Sequence, residues 1–238
     1  MNFTSRSYDL ELLVNPGIPF DDIRRNMQEL DFINTWLGGH AITIEGIKKF
    51  ISVPADNNKT WHICEIGCGG ADNIRAISEW GRKRNVRMRF TGIDINPHCI
   101  GLARTAALQH QADFILSDYK EAVFASKPDI IFSSLFCHHF RNEDLVFMMQ
   151  WMINNSSKGF FINDLHRNFL AYHSIKILAF LFSKSYLVKN DAPLSVARGF
   201  SRQDILSLLN SAGATNFRVF WKWAFRWLVI CRKQNTFQ

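Results

Sequence analysis

The sequence predicts an α/β domain built on a doubly wound, mostly parallel sheet. Three observations carry this. The stretch Trp61 to Asn73, WHICEIGCGGADN, runs from a short apolar segment through a glycine turn into a segment of helical character, Asn73 to Trp80. A second apolar run, Met88 to Ile93, ends on Asp94, 29 residues beyond Glu65, a spacing that fits one β-α-β unit. Further apolar runs recur at Asp113 to Leu116, Pro128 to Ser134 and Gly159 to Asn163, the fourth-strand run apolar enough to be covered on both faces. With 238 residues and 47% hydrophobic content, one domain is expected, with a helical cover over residues 1–55 and a helical insert over 168–200.

Before the first strand, residues 1–20 hold Pro16, Gly17 and Pro19 and read as an irregular arm. A helix is predicted over Asp21 to Glu29, its Asp-Asp start suiting the helix dipole. Leu30, Ile33, Trp36 and Leu37 recur at helical spacing, Gly38-Gly39 interrupts, and Ile42 to Ile51 forms another amphipathic piece. Trp36 and His40 fit a cover over the site or plain packing on the sheet edge.

The glycine turn brings backbone N–H groups at a helix N-terminus against a ligand, and Asp94 at the tip of the second strand suits ribose hydroxyls. Gly67-Cys-Gly69-Gly70-Ala71-Asp72 lacks the third glycine of a dinucleotide site, and a pyrophosphate beside Asp72 and Glu65 would be repelled, whereas a cationic ligand would not. E-x-G-C-G followed by G-I-D resembles the first motif and the acidic second-strand motif of class I S-adenosylmethionine-dependent methyltransferases. The resemblance covers Trp61 to Phe140 through motifs, and it departs at Ala71, where a glycine is often found. It implies a seven-stranded sheet whose last strand is antiparallel, S-adenosylmethionine as cofactor, Glu65 near its methionine end and Asp94 on its ribose. Cofactor contacts are expected at Glu65, Gly67, Gly69, Asp94, Ile95, Asp118, Tyr119 and Ser134. Asp118 and Tyr119 match positions that meet the adenine; a loop acid capping a helix is the plainer reading of Asp118.

The fourth strand runs into Leu135-Phe136-Cys137-His138-His139-Phe140, and the fifth exits through Asp164-Leu165-His166-Arg167. Adjacent histidines point in different directions, so one of the pair can face a pocket while the other packs or caps. Methyl transfer from a sulfonium needs mainly alignment, and a phenol or enol acceptor also needs a base near neutral pKa, so His139 and His166 are competing candidates. Cys137, His138, His139 and His166 fit a zinc site poorly because adjacent histidines lack ligand spacing. No acid follows the fourth strand at Ser134-Leu135-Phe136, which disfavours magnesium, so no metal is expected.

Phe169 to Phe182 is a strongly apolar helix candidate, followed by Ser183 to Val188, a polar turn at Asn190 to Pro193, and a capping box at Ser201 to Asp204 that starts a helix over Gln203 to Asn210. The insert fits a lid over an apolar acceptor pocket, a dimer surface or a membrane-surface helix; Lys176 alone among its inner positions argues against the last, and a lid or interface is preferred. Strands over Asn216 to Trp223 and Arg226 to Arg232 close the chain. Trp221, Trp223, Phe225 and Trp227 crowd this hairpin, as core or as a stacking surface.

A formal net charge of +7 is spread along the chain and reads mainly as solubility. Five scattered cysteines show neither a disulfide ladder nor a C-x-x-C pair, which points to a reducing cytoplasm; the N-terminus lacks a signal-peptide core, and no window reaches a membrane span. Trp36 to Gly39, Cys137 to Phe140, Asp164 to Arg167 and Ala192 to Ser201 resemble small-molecule methyltransferases of bacterial polyketide and aryl-lipid pathways, which implies O-methylation of a phenolic or quinone-like acceptor with an apolar tail. An RNA or protein methyltransferase has only the basic balance behind it, and Ser134 to Cys137 lacks the N/D-P-P-Y/F stretch of amino-methylating nucleic-acid enzymes. A non-catalytic scaffold is opposed by the intact Glu65, Gly67, Gly69 and Asp94.

Overall fold

A computed structural model describes residues 3–15, 17–52, 59–106 and 111–233. Parts of the expected N-terminal cover, residues 1, 2, 16 and 53–55, lie outside the described residues. The elements follow as α1 (Phe20–Trp36), α2 (Gly39–Lys48), β1 (Trp61–Ile66), α3 (Asp72–Arg82), β2 (Met88–Asp94), α4 (Pro97–Ala106), β3 (Ala112–Leu116), β4 (Ile130–Ser134), α5 (Asn142–Asn155), β5 (Gly159–Leu165), α6 (Phe169–Phe182), α7 (Tyr186–Arg198), α8 (Arg202–Ser211), β6 (Phe217–Lys222) and β7 (Arg226–Arg232). The strands form one sheet in the order β3-β2-β1-β4-β5-β7-β6, with β7 antiparallel to both neighbours.

This is the doubly wound sheet that the sequence predicts. Strand order reverses between β1 and β4, and open α/β sheets bind ligands at the carboxyl ends of the strands at such a point. Side-chain alternation gives the sheet two cores. Cys64, Ile131, Phe160 and Val229 face α5 and α8, meeting Met148 and Leu209, while Ile63, Phe132, Phe161 and Leu228 face α2 and α3, meeting Ile47 and Ile74. Phe132 and Phe161 stack with centroids 4.8 Å apart across β4 and β5. The edge strands β3 and β6 are the less buried ones, as their open sides require.

Several boundaries differ from expectation. The helix expected to end at Glu29 continues to Trp36, so Leu30 and Ile33 belong to α1; Gly38, at φ +75°, supplies the break, and α2 begins at Gly39 rather than Ile42. Strand β5 extends through Asp164 and Leu165 because β7 pairs with it as far as Leu165 and Arg226. The polar turn expected at Asn190 to Pro193 is instead the middle of α7. Ser185 caps this helix by accepting from Val188 N, and Asp191 turns inward, its carboxylate accepting from Leu12 N at 2.8 Å and Leu13 N at 3.0 Å. Those tertiary bonds offset the helical hydrogen bond that Pro193 cannot donate. The capping box at Ser201 and Asp204 is present, and the helix it caps begins at Arg202, one residue ahead of the predicted start. Among the described residues, no helix is long and apolar enough to cross a membrane.

Candidate active site

The candidate cofactor half of the site is built by the β1–α3 turn. Gly67 N and Cys68 N donate to Ile93 O at 2.8 and 3.1 Å, which ties the turn to β2. Gly67 sits at φ +67°, and a Cβ there would lie 2.2 Å from the Phe136 ring, so both backbone and space require glycine. Gly69, at φ +50°, donates to Asp94 Oδ2 at 2.9 Å, and Asn96 N donates to Oδ1 at 2.9 Å. Ala71 takes the left-handed position ahead of α3 at φ +63°, where a glycine would avoid about 1–2 kcal/mol of strain. A Cβ at Gly69 or Gly70 would meet only Met27 of α1, at 3.5 and 3.9 Å. This is a cradle of bare backbone roofed by the N-terminal helices. The roof is fastened at α3: His40 Nε2 lies 2.8 Å from Asp72 Oδ2, Asn34 Nδ2 donates to the same oxygen at 3.4 Å, and Arg75 pairs with Asp31 at 2.6 Å.

Glu65 lies at the floor of this cradle, 1% exposed. Asn73 Nδ2 donates to its Oε1 at 3.0 Å, while Oε2 is buried without a hydrogen-bond partner. Burial, reinforced by the charges of Asp72 and Asp94, pushes the Glu65 carboxyl well above the usual range. Thr43 Oγ1 links Asn73 Oδ1 at 3.2 Å to Asn163 Nδ2 at 3.0 Å, and Asn163 Nδ2 also reaches Ser134 Oγ at 3.3 Å. A buried carboxylic oxygen with no partner fits a group that brings a cation, and an S-adenosylmethionine ammonium is such a group. The bare Gly69–Gly70 backbone and the two-oxygen acceptor Asp94 fit the rest of that cofactor. Burial also raises the Asp94 carboxyl.

Ile95 is 71% exposed beside Asp94. Asp118 accepts from Lys120 N at 3.0 Å and so caps the short 3-10 turn that follows, as the plainer sequence reading has it. Tyr119 is turned into the core, its ring edge-on to Trp151 at 5.3 Å and to Phe140 at 6.5 Å.

The second half of the site lies at the β4 exit. Leu135 is held at φ +51°, a conformation a branched side chain rarely adopts, and the chain then makes a single 3-10 turn, Cys137–His139. Two arginines from distant segments clamp this turn. Arg6 Nη2 donates to His138 O and Phe140 O at 3.1 and 3.0 Å, and Arg198 donates from Nε to His138 O at 3.1 Å and from Nη2 to His139 O at 2.7 Å. The two histidines diverge. His138 is buried, with Nδ1 2.7 Å from Asp164 Oδ1. His139 is partly exposed, with Nε2 2.9 Å from Glu11 Oε2, and Glu11 Oε1 also accepts from Ser195 Oγ at 2.8 Å and lies 3.7 Å from His138 Nε2. The result is a chain Asp164–His138–Glu11–His139. Burial alone would raise the Glu11 carboxyl, but the His139 hydrogen bond and the two imidazoles hold it down at about 2. Asp164, equally buried, is likewise held below the usual range by His138. Glu11, His138 and His139 offer ligand atoms within 4.8 Å of one another, as do Asp31, His40 and Asp72, and in both groups hydrogen bonds between the members account for the approach.

His139 packs against Phe136 with ring centroids 6.1 Å apart, and Phe136 covers Gly67, so the histidine turn abuts the cofactor cradle. His166 lies one strand further out, accepting from Trp221 Nε1 at 3.2 Å and packing 5.0 Å from Trp227. Burial and the Arg167 charge lower its pKa. Sequence reasoning missed Glu11, Arg6 and Ser195: an acid in an irregular arm carries no pattern that ties it to a turn 128 residues away. Asp164 is legible in the sequence only as part of the fifth-strand exit.

Residues 63–159 match the model of a family described as a methyltransferase domain. No curated protein matches the sequence. Among solved structures, the chain is similar to the plantazolicin methyltransferase BpumL in complex with SAH, at a TM-score of 0.69 and 16% identity over 94% of this chain and 92% of that one. It is also similar to human N-acetylserotonin methyltransferase in complex with SAM, at 0.62 and 16% over 90% and 56% of the two chains. Magnesium protoporphyrin IX methyltransferase (ChlM) from Synechocystis PCC 6803 with bound SAH follows at 0.50 and 15% over 92% and 90%. Such identities speak for the fold; the domain match and the Glu65–Gly69–Asp94 cradle speak for the chemistry. Together they make the protein an S-adenosylmethionine-dependent methyltransferase.

Proposed function

We propose that the acceptor is a small apolar molecule methylated on a hydroxyl, a phenol or quinol, and that His139 is the base that takes its proton. The observation that carries this is the Asp164–His138–Glu11–His139 chain, set against the cofactor cradle through Phe136. Glu65, Gly67, Gly69 and Asp94 are the residues that would hold the cofactor, with Ile95 against the adenine, Asp118 near its amino group and Ser134 at the strand-four exit beside Glu65's network. Bound S-adenosylmethionine supplies an electrophilic methyl on a sulfonium.

The protein's own part is alignment, exclusion of water and one proton transfer. Glu11, ionised at neutral pH, orients the His139 ring through Nε2, and Nδ1 has no partner among the described residues, which leaves it for the acceptor hydroxyl. Nδ1 would take the proton of the acceptor hydroxyl, and the imidazolium so formed would be stabilised by the Glu11 carboxylate at 2.9 Å. His138, with both nitrogens facing acids, keeps Glu11 in place. His166, farther out and with Nδ1 already accepting from Trp221, is the weaker candidate. Segment 168–200 would then be a lid whose inner helix, α7, reaches the histidine turn through Ser195 and Arg198, and segment 1–55 a cover through Met27 and Glu11. The small-molecule names of the similar methyltransferases support the acceptor class.

Methyl transfer from labelled S-adenosylmethionine to a panel of alkylated phenols and quinols, run beside bulk RNA, tests the reading. Transfer to a phenol or quinol supports it. Transfer to RNA alone overturns it.

A further inference from the structure

Helix α6 packs on α7 and turns most of its side chains outward. Its inward stripe is small, Ala171, Ile175 and Ala179 at four-residue spacing, and Ala171 and Ala179 are its buried residues. The outward surface carries Phe169, Leu170, Ile177, Phe180, Leu181 and Phe182, with Phe180 73%, Leu181 63% and Phe182 76% exposed. Single exposed apolar residues are ordinary, but a run of this kind on one helix marks an interaction surface.

Charge says what the partner is. From Leu165 to Asn190 the chain holds no Asp or Glu, while Lys176, Lys184 and Lys189 are exposed around the apolar face, Lys189 Nζ lying 6.0 Å from the Phe180 ring. The remaining cation of the segment, Arg167, is buried and paired with Asp204 at 2.8 Å. Two acids of α1 come near the α6–α7 junction, and both are engaged: Glu29 accepts from Lys184 N, Ser185 N and Ser183 Oγ, and Asp22 lies at the Tyr186 hydroxyl. A second copy seated on this face would set lysine against lysine, which opposes a two-fold dimer here. An anionic surface suits it.

We infer that α6 seats the protein on an anionic lipid surface, its apolar side in the acyl boundary and Lys176, Lys184 and Lys189 among the headgroups. Fourteen residues make a helix of about 21 Å, too short for the ~30 Å hydrocarbon core, so α6 lies along the surface instead of crossing it. Lys176 alone gave little electrostatic weight in the sequence; Lys184, two residues beyond the exposed Phe182, and Lys189, beside the Phe180 ring, supply the rest. The inference goes beyond the methyl-transfer reading and holds whichever acceptor is used.

Co-sedimentation of the full chain with vesicles tests it, comparing mixed phosphatidylglycerol and phosphatidylcholine with phosphatidylcholine alone. Binding to the anionic vesicles is expected, falling as salt rises. Phe180→Glu with Phe182→Glu should weaken it at least about tenfold, and Lys184→Glu with Lys189→Glu should weaken the anionic preference by a similar factor, with the circular-dichroism spectrum unchanged in both. Absence of binding, equal binding to both vesicle types, or binding untouched by either pair overturns the inference. So does a concentration-dependent dimer that the phenylalanine pair dissolves, which would give the face to a second copy.

Discussion

The two halves of the site are built in opposite ways. The proposed cofactor half is local: Glu65, Gly67, Gly69 and Asn73 lie within one strand–turn–helix, and Asp94 is the tip of the next strand. The half around the histidines is assembled from far apart, with Glu11 and Arg6 from the N-terminal arm, His138 and His139 from the β4 exit, Asp164 from β5, and Ser195 and Arg198 from α7. Contiguous backbone geometry fixes the first, and charge pairing across the fold fixes the second. The first should therefore fail one contact at a time, while the second should fail as a unit.

The largest effect is expected where that unit meets the acceptor. His139→Ala should lower turnover by about 10²–10⁴-fold with little change in cofactor affinity, as loss of a general base does. His166→Ala, made alongside, should leave turnover near wild type. If His166→Ala carries the loss instead, the base sits outside the Glu11 chain; if neither variant slows the reaction, histidine base catalysis is removed altogether.

Next comes Glu11, which should couple the assembled half to acid stability. Its carboxyl titrates at about 2 in the folded protein against 4.5 ordinarily, so the stability it contributes is fully present above about pH 4.5 and is lost as pH falls toward 2. The difference is on the order of 3 kcal/mol. Urea unfolding of Glu11→Gln from pH 6 to pH 2 should show a shallower loss than wild type. Parallel curves would mean that the arm does not hold the histidine turn.

Asp94→Ala should act more narrowly, weakening cofactor binding about ten- to hundredfold, the worth of hydrogen bonds to a charged acceptor. Calorimetric titration with S-adenosylmethionine and its demethylated product reads this directly, and near-native affinity would remove Asp94 from the site.

This contrast also explains what the sequence could disclose. The glycine turn is legible because φ near +67° at Gly67 and the crowding of Phe136 leave one residue type. Strands β4 and β5 are legible because burial on both faces demands continuous apolar runs. Glu11 has no such constraint: its neighbours in sequence make an arm, and only tertiary closure puts it beside His139. The same holds for Asn190 to Pro193, which has turn composition and lies within α7 because Asp191 is claimed by two backbone N–H groups. Local chemistry leaves a pattern; pairing between distant segments does not.

The smallest effect expected is also the sharpest test of the local half. Glu65 has one oxygen on Asn73 and one without a partner, and burial beside Asp72 and Asp94 raises its carboxyl well above the usual range. A raised carboxyl holds its proton at a pH where an exposed one would not, and a cation arriving at the free oxygen favours the ionised form. Cofactor binding should then release protons, up to one per site, and calorimetry in buffers of different ionisation enthalpy should give heats that vary accordingly. In Glu65→Gln the Asn73 contact can persist while the titratable proton is gone, so the heats should lose that buffer dependence and affinity should drop modestly. Buffer-dependent heats that survive in Glu65→Gln would place the released proton on another group and detach Glu65 from the cationic end of the cofactor.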